Sequence, residues 1–151
     1  ITCLAGHPRP LWYQAATQRW SLLSHELSDG SNASQDVPLG IIHPTEYHQF
    51  AVTLGRGDLV VLYTDALIET GGPPSRSIGE AGLLRLAAEV GGTDPAGFGR
   101  GLIAAVDNKF GLTGATRTDD LTVLVLHHNA ADPPPMSVAH KLRMMARMMG
   151  L

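Results

Sequence analysis

Apolar positions along this chain fall into short runs separated by Gly, Pro and polar clusters, a rhythm that predicts short strands alternating with a few helices. The strongest run is Leu59-Val60-Val61-Leu62-Tyr63, continuous enough to read as a strand buried on both faces. Leu121-Thr122-Val123-Leu124-Val125-Leu126 predicts a second such strand, ending at His127-His128. Leu11 to Gln14 and Arg19 to Leu23 flank a short polar turn and predict a hairpin. Ile1 to Leu4 reads as a β-prone opening, followed by the breaker-rich turn Ala5 to Pro10. His48 to Leu54 alternates imperfectly, and Gly55-Arg56-Gly57-Asp58 links it tightly to Leu59. That spacing predicts a second hairpin between the Phe50 and Leu62 regions.

Helical spacing appears twice in the middle of the chain. Leu83, Leu84, Leu86, Ala87 and Val90 predict a helix over Gly79 to Val90, closed by Gly91-Gly92. Thr93 or Asp94 then caps a helix that begins at Pro95 and runs to about Phe110, with Leu102, Ile103, Val106 and Phe110 on one face. Ser28 to Gln35, Gly71 to Pro74 and Gly111 to Thr118 read as loops, and Pro38 to Ile41 as a compact turn. Residues 129–136 form a Pro-rich linker. Residues 137–151 place Val138, Leu142, Met145 and Met149 on one stripe, with His140, Lys141, Arg143 and Arg147 elsewhere. This predicts an amphipathic, basic, Met-rich terminal helix, docked on its own domain or offered to a partner.

Composition narrows the function classes. A chain of 151 residues with 44% hydrophobic content holds one domain with a substantial core. Its net charge of -3 provides no basic footprint, so nucleic acid is not an expected partner. The single cysteine, Cys3, excludes an internal disulfide and a Cys-based zinc cluster, and fits residence in the cytoplasm. No apolar run approaches the ~20 residues that span a bilayer. The pattern opens at Ile1 as though already inside a strand, which reads as a chain cut, processed or trimmed upstream.

Candidate chemistry lies at two strand ends. Asp65 follows Leu59–Tyr63 directly after Thr64, and Asp119-Asp120 lead into the last strand. A carboxylate at the mouth of an apolar strand is costly unless solvated, paired or bound to a cation. If the two strands are neighbours, Asp65 and Asp119 converge on a point suited to a hard divalent ion. Spacing alone equally allows two turn residues held by backbone N–H groups.

Five blocks occur in order: Ala5-Gly6-His7-Pro8-Arg9-Pro10-Leu11, Pro38-Leu39-Gly40, Gly57-Asp58 through Thr64-Asp65, Glu69, and Asp119-Asp120-Leu121-Thr122. Their order and spacing over about Ile1 to Leu126 resemble the C-terminal half of the SpoIIE-like, PP2C-type (PPM) serine/threonine phosphatases. The resemblance implies an α+β fold, an α-β-β-α sandwich of two antiparallel sheets flanked by helices, here incomplete on its N-terminal side and occupying residues 1–128. It implies two Mn²⁺ or Mg²⁺ ions and direct attack of a metal-activated water on phosphoserine or phosphothreonine. Asp65 and Asp119 match catalytic metal ligands of that family, with Asp120 a lesser candidate that otherwise orients its neighbour or caps the strand. Glu69 matches an acidic position of regulatory or structural use, or a solvated face. His7 matches a turn histidine, held in place by its turn or acting as an acid.

The resemblance also implies a phosphorylated regulatory protein as substrate, such as an anti-anti-sigma factor in bacterial signalling. Three departures weigh against turnover by this chain alone: a further metal-bridging Asp in a Gly-rich block is absent, Ala66 stands where the family has Gly, and Leu4 stands where it has Asn. They leave a non-catalytic, PP2C-like interaction module as the alternative. Open strand edges and uncovered apolar faces predict either a homodimer or dependence on a preceding segment.

Overall fold

The computed structural model describes residues 1–24, 37–41, 43, 47–70, 77–112, 119–131 and 137–148. The loops expected at Ser28 to Gln35 and Gly71 to Pro74, most of Gly111 to Thr118, and the proline run of the linker lie outside them. Among the described residues six strands occur in chain order: β1 (Thr2–Cys3), β2 (Leu11–Gln14), β3 (Arg19–Leu22), β4 (Gln49–Phe50), β5 (Leu59–Tyr63) and β6 (Val123–His127). Three helices accompany them: α1 (Gly79–Val90), α2 (Pro95–Phe110) and α3 (Val138–Met148). The architecture is the expected α+β sandwich type, two antiparallel sheets with flanking helices. One sheet has the order β3-β2-β5-β6 and the other pairs β1 with β4.

The central place of β5 follows from its composition. Leu59, Val61 and Tyr63 are fully buried on the helical side, while Val60 and Leu62 occupy the opposite face. Only an interior strand can satisfy its backbone while burying so much on both sides. It pairs with β2 through Leu11↔Val61 and Tyr13↔Leu59, and with β6 through Leu59↔His127 and Tyr63↔Val123. The core on the helical side joins Leu11, Val61 and Tyr63 to Leu83, Leu86 and Ala87 of α1 and to Phe98, Leu102 and Val106 of α2. On the opposite face the register aligns Trp12, Val60 and Leu126, where Leu126 is 48% exposed and its strand neighbour Leu124 is 52% exposed.

Caps set both ends of α2. The Asp94 carboxylate accepts the Gly97 N–H at 3.1 Å, with Pro95 at the first helical position. Gly111 closes α2 in the left-handed conformation, φ 63°, and donates its N–H to the Asp107 carbonyl.

The expected hairpin between the Phe50 and Leu62 regions does not form. Of His48 to Leu54, only Gln49–Phe50 is strand, and it pairs with β1 through Thr2↔Phe50. The reason lies at Asp58, which is 5% exposed. Its carboxylate accepts N–H groups from Gly55 at 2.9 Å, Ala15 at 2.9 Å and the Trp12 indole at 3.2 Å. The chain is thereby folded onto the β2–β3 turn before β5 begins, so residues 51–54 do not run back along it. Strand β6 likewise starts two residues later than expected, because Leu121 and Thr122 precede the ladder. The Thr122 backbone is engaged instead by the Thr64 hydroxyl.

Candidate functional site

Antiparallel pairing of β5 with β6 brings the end of the first strand to the beginning of the second. Asp65 follows β5 by one residue after Thr64, and Asp119 precedes β6, so the two candidate carboxylates lie at one end of the sheet. Thr64 ties these ends together. Its hydroxyl donates to the Asp120 carbonyl at 3.1 Å and accepts the Thr122 N–H at 3.0 Å, while its own N–H donates to the Thr122 carbonyl at 3.1 Å. Sequence reading passed over this residue as part of the strand-end motif. A hydroxyl residue directly before the acidic one was the available signal, but its use depends on which strand lies alongside.

Each aspartate is fixed by its own following residue. Asp65 Oδ1 accepts the Ala66 N–H at 2.9 Å, and Asp119 Oδ1 accepts the Asp120 N–H at 2.8 Å. Asp65, Asp119 and Asp120 are all exposed, as carboxylates facing water require. Asp65 opens a 3₁₀ turn through Leu67, whose carbonyl pattern continues as Ile68 and Glu69 N–H groups donate to the Asp65 carbonyl. Ala66 is buried within that turn and is absent from the positive-φ residues. Its Cβ is therefore accommodated in ordinary backbone, and the replacement of Gly does not itself distort the strand end. Glu69 is exposed one turn beyond Asp65.

The Ala5–Pro10 turn packs beside this end. Gly6 has φ +77°, and a Cβ there would lie 2.5 Å from Pro38 Cγ, so glycine is required both by backbone and by the contact that joins two of the ordered blocks. His7 is half-buried, with Nδ1 2.6 Å from the Pro8 carbonyl oxygen, the position of a turn histidine. Arg9 donates from its backbone N–H to Glu80 Oε1 and from Nε to Glu80 Oε2, both at 2.7 Å. This ion pair binds the turn to the start of α1. The Tyr63 hydroxyl donates to the Arg9 carbonyl at 2.8 Å. Burial, reinforced by the nearby Glu80 charge and opposed by Arg9, pushes that hydroxyl well above the ordinary tyrosine range, so it remains a donor at neutral pH. A cleft of about 580 Å³ lies here, its walls including Pro8, Arg9, Asp65, Glu69 and Glu80.

A family model described as stage II sporulation protein E (SpoIIE) matches residues 2–129. The chain belongs to the SpoIIE family. Among solved structures, this SpoIIE-family chain resembles the RsbU and RsbW domains of Rv1364c from Mycobacterium tuberculosis, at 27% identity and TM-score 0.60, covering 97% of this chain and 39% of that one. It also shares the fold of the SpoIIE phosphatase domain from Bacillus subtilis, presoaked with Mn, at 19% identity and TM-score 0.58, covering 85% and 50%. The SiaA-PP2C domain of Pseudomonas aeruginosa follows at 16% identity and TM-score 0.50, covering 80% and 43%. The chain thus spans half or less of the length of each. No curated protein matches it.

Carboxylate oxygens are the donors that Mn²⁺ and Mg²⁺ prefer, and in that respect the SpoIIE-family strand end fits such an ion. Their number is short: among the described residues no group of three or more His, Cys, Asp or Glu is arranged to hold a metal. Asp120 accordingly does not join Asp65 and Asp119 in a three-residue cluster.

The clamp gives a direct prediction. Thr64→Val removes a donor and an acceptor and is expected to destabilise the fold by about 1 kcal/mol, because water replaces part of each exposed bond. Thr64→Ser keeps the hydroxyl and is expected to lose less. Urea denaturation of both variants measures the difference.

Proposed function

We propose that Asp65 and Asp119 are metal-holding carboxylates of an Mn²⁺- or Mg²⁺-dependent protein serine/threonine phosphatase acting in bacterial regulatory signalling. The observation that supports this reading is that the β5–β6 register puts the segments carrying the two aspartates at the same end of the pair, with Thr64 hydrogen-bonded to the segment that carries Asp119. Divalent ions held there supply charge neutralisation of phosphoryl oxygens and lower the pKa of an attacking water. The chain's own part is to carry two exposed carboxylates at one strand end and to hold them through the Ala66 and Asp120 N–H groups. The cleft beside Asp65 offers space for the residues flanking a phosphoserine or phosphothreonine. A phosphorylated regulatory protein of the anti-anti-sigma type, in the cytoplasm, is the proposed substrate.

Two carboxylates provide few of the six or so oxygens that such an ion takes. Calorimetric titration of this chain with Mn²⁺ is therefore expected to give weak, saturable binding, on the order of 0.1–1 mM. Phosphopeptide hydrolysis on the same sample is expected to be slight. Absence of any saturable Mn²⁺ binding would overturn the metal assignment and favour a non-catalytic interaction module.

A further inference from the structure

We propose that the end of the four-stranded sheet remote from Asp65 is a docking site for an acidic peptide segment. A cleft of about 490 Å³ opens there on the helical side, with Tyr13 and Trp20 as its aromatic lining and Arg19 and Arg85 among its walls. Register places it: Tyr13 pairs with Trp20 on one side and with Leu59 on the other, so the cleft is level with the first residue of β5. Asp65 lies six residues further along, roughly 20 Å away at strand rise. The two sites are separate.

Charge identifies the occupant. Over residues 1–129 the chain carries eight basic and thirteen acidic residues, yet this cleft gathers two arginines. Both are exposed, and neither has an ion-pair partner among the described residues. With both guanidinium groups on the walls of one cleft, an anion seated there is attracted by each. Their forked N–H donors match carboxylates in the bidentate geometry that side chains of Asp and Glu offer.

The lining is built rather than incidental. Trp20 stacks on Phe98 with ring centroids 4.6 Å apart, and Tyr13 packs against Trp20 at 5.2 Å. A Cβ at Gly92 would lie 2.5 Å from the Tyr13 ring, so only glycine lets the α1–α2 connection close over it. The Trp20 indole N–H is buried without a hydrogen-bond acceptor among the described residues, and its ring, which lines the cleft, reports on what docks there.

The test is binding of a fluorescein-labelled hexaglutamate peptide to the full chain at low ionic strength, followed by anisotropy. The indole N–H resonances of Trp12 and Trp20 are read in parallel. Saturable binding is expected to shift the Trp20 resonance and leave that of Trp12 in place. Arg19→Gln and Arg85→Gln are each expected to weaken binding about three- to five-fold, as for exposed ion pairs. Arg85→Lys, which keeps the charge but not the forked donors, should recover only part of the affinity, and Arg100→Gln should change nothing. No binding, equal binding in the Gln variants, or a shift confined to Trp12 overturns the proposal. Because none of these readouts involves metal or hydrolysis, the outcome is independent of the phosphatase reading.

Discussion

Asp58→Ala is expected to lower the stability of the fold by about 3–5 kcal/mol, enough to bring a marginal domain near its unfolding threshold. The carboxylate is 5% exposed and accepts three N–H groups, from Gly55, Ala15 and the Trp12 indole. Truncation strands all three donors, and each buried donor left unpaired costs about 1–3 kcal/mol. The lower part of that sum applies because Ala15 and Gly55 lie in turns that water can enter. Neighbouring bonds add to the effect: the Asp58 N–H donates to the Gly55 carbonyl at 3.1 Å, and its own carbonyl accepts the His128 N–H at 2.9 Å. Asp58→Asn retains one acceptor oxygen but turns an NH₂ group toward N–H donors, so it is expected to recover only part of the loss. Chemical denaturation of both variants measures the ordering. A loss below about 1 kcal/mol in the alanine variant would show that water replaces the carboxylate and that the knot does not set the start of β5.

That residue also marks where sequence reading stopped. Gly55-Arg56-Gly57-Asp58 reads locally as a surface turn, and nothing within it announces that a Trp side chain and a backbone N–H more than forty residues upstream converge on the carboxylate. The mistaken hairpin between the Phe50 and Leu62 regions has the same origin, since strand pairing is non-local and β4 finds β1 instead. Features encoded locally were legible. Asp94-Pro95 and Gly111 delimit α2 through caps whose hydrogen bonds span only a few residues. The buried character of Leu59–Tyr63 was visible from its unbroken apolar run, but its place between β2 and β6 was not. In the candidate site, the position of Asp65 and Asp119 beside the paired strands was legible because acidic residues next to apolar runs are conspicuous. Thr64 was not, because its task appears only once β6 lies beside β5. Arg19 and Arg85 were equally silent, being separated in sequence and joined only by the packing of α1 over the hairpin.

Asp65→Asn and Asp119→Asn are each expected to abolish divalent-ion binding while leaving the metal-free fold intact. Both carboxylates are exposed, and each uses one oxygen to accept the N–H of the next residue, a bond an Asn side-chain oxygen can keep. Stability without metal should therefore stay within about 0.5 kcal/mol of the parent chain. Metal affinity should not survive, because replacing a charged oxygen pair by an amide removes both a negative charge and a ligand from a site whose proposed ligands among the described residues are these two carboxylates. The contrast is measurable by thermal unfolding. Mn²⁺ at ten times its dissociation constant stabilises the parent by about 1.4 kcal/mol through preferential binding to the folded state, and neither variant should show that increment. Thr64→Val supplies the complementary case: it retains both carboxylates, so it should start less stable yet still respond to Mn²⁺, at higher concentration. If both Asn variants bind Mn²⁺ as the parent does, the ion sits elsewhere and the strand-end carboxylates are turn residues. If they lose the response while Thr64→Val keeps it in weakened form, then strand pairing positions the ligands and the carboxylates hold the ion.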